Sequence, residues 1–238
     1  MLSIKNFTKT YPGGKVAVKD LSLDVNKGDL VAFIGHNGAG KTTTIKAIVG
    51  IMPIEEGDIL IDGLSVKSNS LECKKMIAYV PDNPDLHESL TGLQYLNLIC
   101  DIYKISKEKR EEKIVTLSTQ FGIYDDLNNF ISAYSHGMKQ KIALIAALAH
   151  DPKLLILDEP FVGLDPLAAY TVKNIMRDFC DNGGAIFFST HILEVAEKLC
   201  NKIAIIKEGK LVISGKIEEV IKNESLEDVF LELTENAK

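Results

Sequence analysis

Apolar positions change their period several times along the chain, and each change marks an element. Over residues 1–25 they largely alternate with polar ones: Leu2, Ile4 and Phe7, then Val16, Val18, Leu21, Leu23 and Val25 beyond a Tyr11-Pro12-Gly13-Gly14 turn. That alternation predicts paired antiparallel strands with one buried face. Continuous apolar runs of strand length follow at residues 29–34, 76–80, 154–157, 185–188 and 203–206, as expected for strands covered on both faces. Pro53 through Asp58 reads as a turn before a short strand region at Ile59-Leu60-Ile61 and Leu64, broken by Asp62-Gly63. Leu211-Val212-Ile213 adds a strand after a Glu208-Gly209 turn.

Helical spacing fills the remaining intervals. It starts at Thr44-Ile45-Lys46-Ala47-Ile48-Val49 and dominates residues 86–151. Thr91-Gly92-Leu93-Gln94 is a capping box for a helix over residues 93–103. The charge run 107–113 predicts the solvated face of the next helix, and Ser135 is the N-cap of a third. Asp165-Pro166 opens a helix that Gly183-Gly184 ends, another runs to about Leu199, and the chain from Lys216 is helical and amphipathic. The order predicts an α/β fold: an antiparallel β start, an α/β core, and a helical subdomain at residues 86–151 inserted in one 1–238 unit.

The candidate chemistry sits where the strands end. Gly35-His36-Asn37-Gly38-Ala39-Gly40-Lys41-Thr42-Thr43 lies between a strand and a helix, the context of a phosphate-binding loop. Gly35, Gly38 and Gly40 free the backbone to turn successive N–H groups inward, and the helix start adds unpaired donors. Lys41 would reach the β- and γ-phosphates of a nucleoside triphosphate and Thr42 would ligate Mg²⁺. Asp158 and Glu159 stand at a strand tip, where ligands bind in open parallel sheets, and His191 ends the next strand. Tyr11, before its flexible turn, could stack on a purine or pack under the hairpin.

Composition narrows the classes. The 238 residues carry a formal net charge of -6, against a nucleic-acid partner held by bulk electrostatics. No apolar run approaches the roughly 20 residues of a membrane helix. The N-terminus lacks a signal-peptide profile, and Cys73, Cys100, Cys180 and Cys200 are too scattered for a metal site. A cytosolic protein is expected.

These segments, in this order and over essentially the whole chain, resemble the nucleotide-binding subunit of ATP-binding-cassette (ABC) transporters. Residues 35–43 match its Walker A motif, residues 154–159 its Walker B strand with the following glutamate, and Ser135-His136-Gly137-Met138-Lys139-Gln140 lies at its signature. Gly163-Leu164-Asp165 matches the loop after Walker B, His191 the switch histidine, and Tyr11 the adenine-stacking aromatic. The resemblance implies a P-loop ATPase in which Asp158 holds Mg²⁺, Glu159 accepts a proton from the attacking water and His191 senses the γ-phosphate. It also implies a head-to-tail dimer, a homodimer or a pair with another cassette, in which Ser135 and Gly137 bind the partner's ATP.

Two positions depart from the family pattern. Asp82 stands where the family has glutamine, and either keeps a metal contact or only caps its loop. His136 replaces the first signature glycine, facing either the partner's nucleotide or solvent. The signature and the closing residues 226–233 resemble bacterial cassettes that pair with a separate membrane permease, commonly for export, on the inner face of the cell membrane. Residues 226–233 are expected to pack on the core. The rival function, a soluble cassette acting in translation or DNA repair, is disfavoured by the single phosphate loop, the short insertion and the net acidity.

Overall fold

Residues 1–222 and 224–235 are described in the computed structural model. The N-terminal alternation produces β1 (Leu2–Thr10) and β2 (Val16–Val25), which pair antiparallel. With β4 (Glu56–Ile61) and β5 (Leu64–Ser65) they form a four-stranded sheet in the order β2-β1-β4-β5. The turn expected over Pro53–Asp58 is shorter than the sequence suggested, because β4 begins at Glu56. Polar residues there pair with β1 (Thr8 with Glu56, Lys5 with Asp58) across a bulge at Asn6 and Gly57, so their side-chain character hides a backbone strand.

The second sheet has six strands in the order β10-β9-β3-β8-β7-β6. Here β3 (Leu30–Ile34), β6 (Ile77–Val80), β7 (Leu154–Asp158), β8 (Ala185–Thr190) and β9 (Lys202–Lys207) run parallel, and β10 (Lys210–Lys216) is an antiparallel edge. Their apolar runs are continuous because both faces are covered. On one side Val31, Phe33, Ile156 and Phe187 share a core with the antiparallel sheet and α1 (Lys41–Ile48). On the other, Ala32, Ile34, Leu157 and Phe188 pack under helices. Phe33 and Phe187 stand with ring centroids 5.1 Å apart, a pairing that contributes about 1 kcal/mol beyond area burial.

Between β6 and β7 the chain forms α3 (Gly92–Ile102), α4 (Lys107–Gln120) and α5 (His136–Ala149), while α2 (Ser70–Met76) precedes β6. The Thr91 capping box is present in full, and Ser106 and Ser135 cap α4 and α5. Helix α5 is apolar nearly all round because it packs on α3 and α4 and also on β6. After α6 (Pro166–Asp181) and α7 (Leu193–Leu199), the helical run expected from Lys216 is divided. Helix α8 (Ile217–Ile221) ends at Lys222, whose φ of 50° breaks the helix, and α9 (Leu226–Glu235) follows. From β3 the chain runs to the far edge at β6, returns through β7 and β8, and then passes β3 to reach β9 on its other side. This crossover point is where a parallel sheet opens a crevice at its strand ends.

Candidate active site

The loop leaving β3 is forced into its shape by what surrounds it. A Cβ on Gly35 would lie 2.5 Å from the Ile206 carbonyl oxygen, and one on Gly40 would lie 2.7 Å from that of Ala17, at a φ of 111°. Gly40 is also the N-cap of α1 and has no side chain to offer. Helices α3, α4, α5 and α6 all have a capping hydroxyl or carboxylate, and α1 does not. Its first N–H groups are therefore left for an external acceptor, which the helix dipole favours as an anion. Lys41 is 7% exposed and donates to the Gly35 carbonyl at 2.6 Å. Burial lowers its pKa from the ordinary lysine value, and the charges of Glu159 and Asp158 partly restore it. This lysine lacks a full counter-charge, and a bound phosphate would supply one.

Adjacent strands bring the carboxylates to this loop. In the sheet Asp158 stands opposite Ser189 and Ile34 opposite Thr190. Asp158 is 2% exposed, and its Oδ1 accepts a hydrogen bond from the Ser189 hydroxyl. The same hydroxyl accepts the Glu159 N–H at 3.0 Å. Glu159 has a φ of 49°, a left-handed conformation that costs a β-carbon residue about 1–2 kcal/mol and aims its side chain back over the loop. There Glu159 Oε2 lies 2.9 Å from His191 Nδ1, and Oε1 lies 3.9 Å from Lys41 Nζ. One carboxylate thus spans the phosphate loop and the end of β8. Ser189 went unnoticed in the sequence, where it is one polar residue at the tip of an apolar strand.

A cleft of about 500 Å³ lies over the loop, lined by Asn37, Gly38, Gly40, Lys41, Thr42, Thr43, Asp82, Asp158 and Glu159 on its floor and by Tyr11 at one wall. Lys15 and Glu208 also line it, neither singled out in the sequence. The Tyr11 hydroxyl is 3.2 Å from Thr43 Oγ1 and the residue is 37% exposed, so it stands at the cleft rather than beneath the hairpin. Asp82 caps the Asn83 N–H at 2.9 Å and still lines the cleft. The nearby Asp158 and Asp82 carboxylates add to burial in pushing the Tyr79 phenol up to about 12. No cage of three or more His, Cys, Asp or Glu exists among the described residues. Thr42, Asp158 and Asp82 instead form a sparse oxygen set, which fits Mg²⁺ when phosphates and waters complete its shell.

Ser135 and Gly137 do not join this cleft. Ser135 accepts the Met138 N–H at 3.3 Å, and Gly137 is pressed against the Gly163 carbonyl, 3.0 Å from where a Cβ would be. The exposed His136 ring covers Gly163, whose φ is 77°, and a Cβ on that glycine would lie 2.2 Å from His136 Cδ2. His136 therefore braces the loop after β7 within its own chain. The start of α5 and the phosphate loop are separate surfaces of one molecule.

The chain is similar to known proteins along its whole length. Residues 18–162 match the family described as "ABC transporter". It is 35% identical to the ABC-type transporter ATP-binding protein EcsA of Bacillus subtilis, over 98% of this chain and 96% of that one. It is 32% identical to the lipopolysaccharide export system ATP-binding protein LptB of Haemophilus influenzae, over 97% of each. A dimeric ATP-binding cassette solved in a post-hydrolysis state with ADP and Pi superposes with a TM-score of 0.83 at 25% identity, covering 91% of this chain and 99% of that one.

Proposed function

The chain belongs to the ABC transporter family and is an ATP-binding, ATP-hydrolysing transporter subunit, and we propose that it is a motor that closes as a head-to-tail dimer around two Mg-ATP. In this reading residues 35–43 wrap the triphosphate and Lys41 holds the β- and γ-phosphates. Thr42 and Asp158, with Asp82, hold the Mg²⁺, which supplies charge neutralisation at the phosphates. Tyr11 stacks on the adenine. Water attacks the γ-phosphorus, the bond to the β–γ bridging oxygen breaks, and Glu159 takes the water's proton. His191, bonded to that carboxylate, fixes its orientation and reads the γ-phosphate. The observation that carries this reading is the convergence of Lys41, Glu159 and His191 on one strand-end crevice, with Glu159 between the other two.

The dimeric cassette among the similar structures supports the dimer. Ser135 and Gly137 lie outside the cleft, and two-fold symmetry lets the start of α5 in each chain complete the partner's site. The partner is a second copy or a paired cassette. Among the described residues no helix is long and apolar enough to cross a membrane. In this reading the membrane-spanning part is a separate permease, as in the cassettes that residues 226–233 resemble. Its docking place is the groove of Pro84, Tyr95, Ile99, Tyr103 and His150 beside Asp82, flanked by exposed Leu98 and Ile102 on α3. Residues 86–151 would then move as one helical subdomain, from a cytoplasmic station on the membrane's inner face. The name of the similar export protein and the resemblance of residues 226–233 support export.

The test is capture from native membranes, solubilised in mild detergent with ATP and Mg²⁺, using tagged Glu159→Gln. A polytopic membrane protein is expected, and it should be lost when Leu98→Glu and Ile102→Glu are added. A ribosomal or DNA-bound partner, with nothing from the membrane, would overturn the transport reading.

A further inference from the structure

We infer that the C-terminal helix α9 positions the phosphate loop through a ring contact between Phe230 and His36, and so sets how tightly the loop holds ATP. The inference rests on the loop being the phosphate site, and adds a residue far away in sequence that keeps it in shape.

The loop has few handles of its own. Of residues 35–40, three are glycine and one is alanine, leaving His36 and Asn37 as the only larger side chains. Its ends are fixed from behind, Gly35 against Ile206 and Gly40 against Ala17, and the Gly209 N–H donates to the Ala39 carbonyl at 2.9 Å. Between those anchors His36 projects outward and is exposed. Its ring meets that of Phe230 at a centroid distance of 5.0 Å and an angle of 59°, within the range aromatic pairs prefer.

His36 matters because its backbone closes the loop. The His36 carbonyl accepts the Ala39 N–H at 3.1 Å and lies 3.4 Å from Lys41 Nζ. Moving this residue moves the carbonyls that steer the Lys41 ammonium. The other side of the contact is firm. Phe230 is 6% exposed and Leu226, one turn earlier, is fully buried. The Leu226 N–H donates to Glu197 Oε2 at 2.9 Å, which ties α9 to α7, the helix that begins two residues after His191. Helix α9 therefore touches both the loop that holds phosphate and the helix that follows the γ-phosphate sensor. A loop held in its binding shape before the ligand arrives loses less freedom on binding.

The test uses Glu159→Gln as the parent, so that nucleotide is not consumed, and reads mant-ATP affinity with Mg²⁺ alongside thermal unfolding. Phe230→Leu keeps apolar volume in α9 but removes the ring. It should unfold near the parent temperature yet bind mant-ATP about threefold to tenfold more weakly, the range of an aromatic pair. His36→Ala, at an exposed position that folding does not need, should weaken binding equally, and the double variant should be no weaker than either single one. Affinities unchanged by both substitutions would overturn the inference, as would effects that multiply in the double variant. A parent that fails to bind mant-ATP at all would instead refute the phosphate-loop reading.

Discussion

Ser189 gives a demanding prediction because its one hydroxyl serves both carboxylate residues. Ser189→Ala removes a hydrogen bond to the buried Asp158 carboxylate and leaves the Glu159 N–H without its acceptor. A hydrogen bond to a charged group is worth about 1.5–3 kcal/mol, and an orphaned buried donor costs about 1–3 more. Ser189 is fully buried, so water has no direct route to replace it. The sum, on the order of 3–5 kcal/mol, corresponds to a fall in melting temperature of roughly 10 °C for a chain of this length. The kinetic effect should be as large. Glu159 occupies a left-handed conformation held by that N–H, and misplacing a reacting group by 1 Å costs about 10²-fold in rate. Differential scanning calorimetry without nucleotide and steady-state phosphate release at saturating ATP read the two effects separately. A variant that melts within about 2 °C of the parent and turns over within about twofold of it would refute the role assigned to Ser189.

Three further outcomes follow from the site. Lys41→Met should abolish nucleotide binding yet leave the nucleotide-free fold as stable as the parent or stabler by up to about 3 °C, because desolvation is the largest influence on that lysine. Calorimetry showing a large loss of stability would mean that its bonds to the loop carbonyl outweigh burial. Gly163→Ala forces a side chain into the His136 ring at a φ of 77°. It should lower ATP turnover at least about tenfold while leaving mant-ATP affinity of the isolated chain intact, since Gly163 does not line the nucleotide cleft. Equal losses in both measurements would contradict the separation of the two surfaces. On the proposal that the Tyr11 ring stacks on the base, Tyr11→Phe should bind mant-ATP nearly as the parent does and Tyr11→Ala about tenfold more weakly. Fluorescence titration distinguishes this from a merely structural tyrosine, for which both substitutions would act alike.

Most of this architecture was legible because the relevant signals are local. Buried parallel strands read as unbroken apolar runs, and the loop after β3 carries Gly35 and Gly40 where backbone clashes leave no alternative. The caps at Thr91, Ser135 and Asp165 were also visible, since capping is settled within four residues. What escaped the sequence depends on contacts between distant segments. Glu56 and Asp58 looked like a turn because strand pairing with β1 is a backbone property that their polar side chains conceal. Ser189 acts through a strand neighbour 31 positions away. The contact of the exposed His136 ring with Gly163, in the loop after β7, likewise joins segments 27 positions apart. The helical tail from Lys216 was foreseen as one amphipathic segment, but the break at Lys222 and the reach of Phe230 to His36 are tertiary facts.

The central claim is that two incomplete sites close on each other around ATP. Sedimentation velocity of Glu159→Gln tests it directly, with the protein at tens of micromolar and run with and without ATP and Mg²⁺. The account predicts a monomer without nucleotide and a dimer with it, and Ser135→Ala introduced into the same chain should weaken that dimer without weakening mant-ATP binding to the monomer. A protein that binds ATP and remains monomeric throughout, or a dimer indifferent to both nucleotide and Ser135, would contradict it.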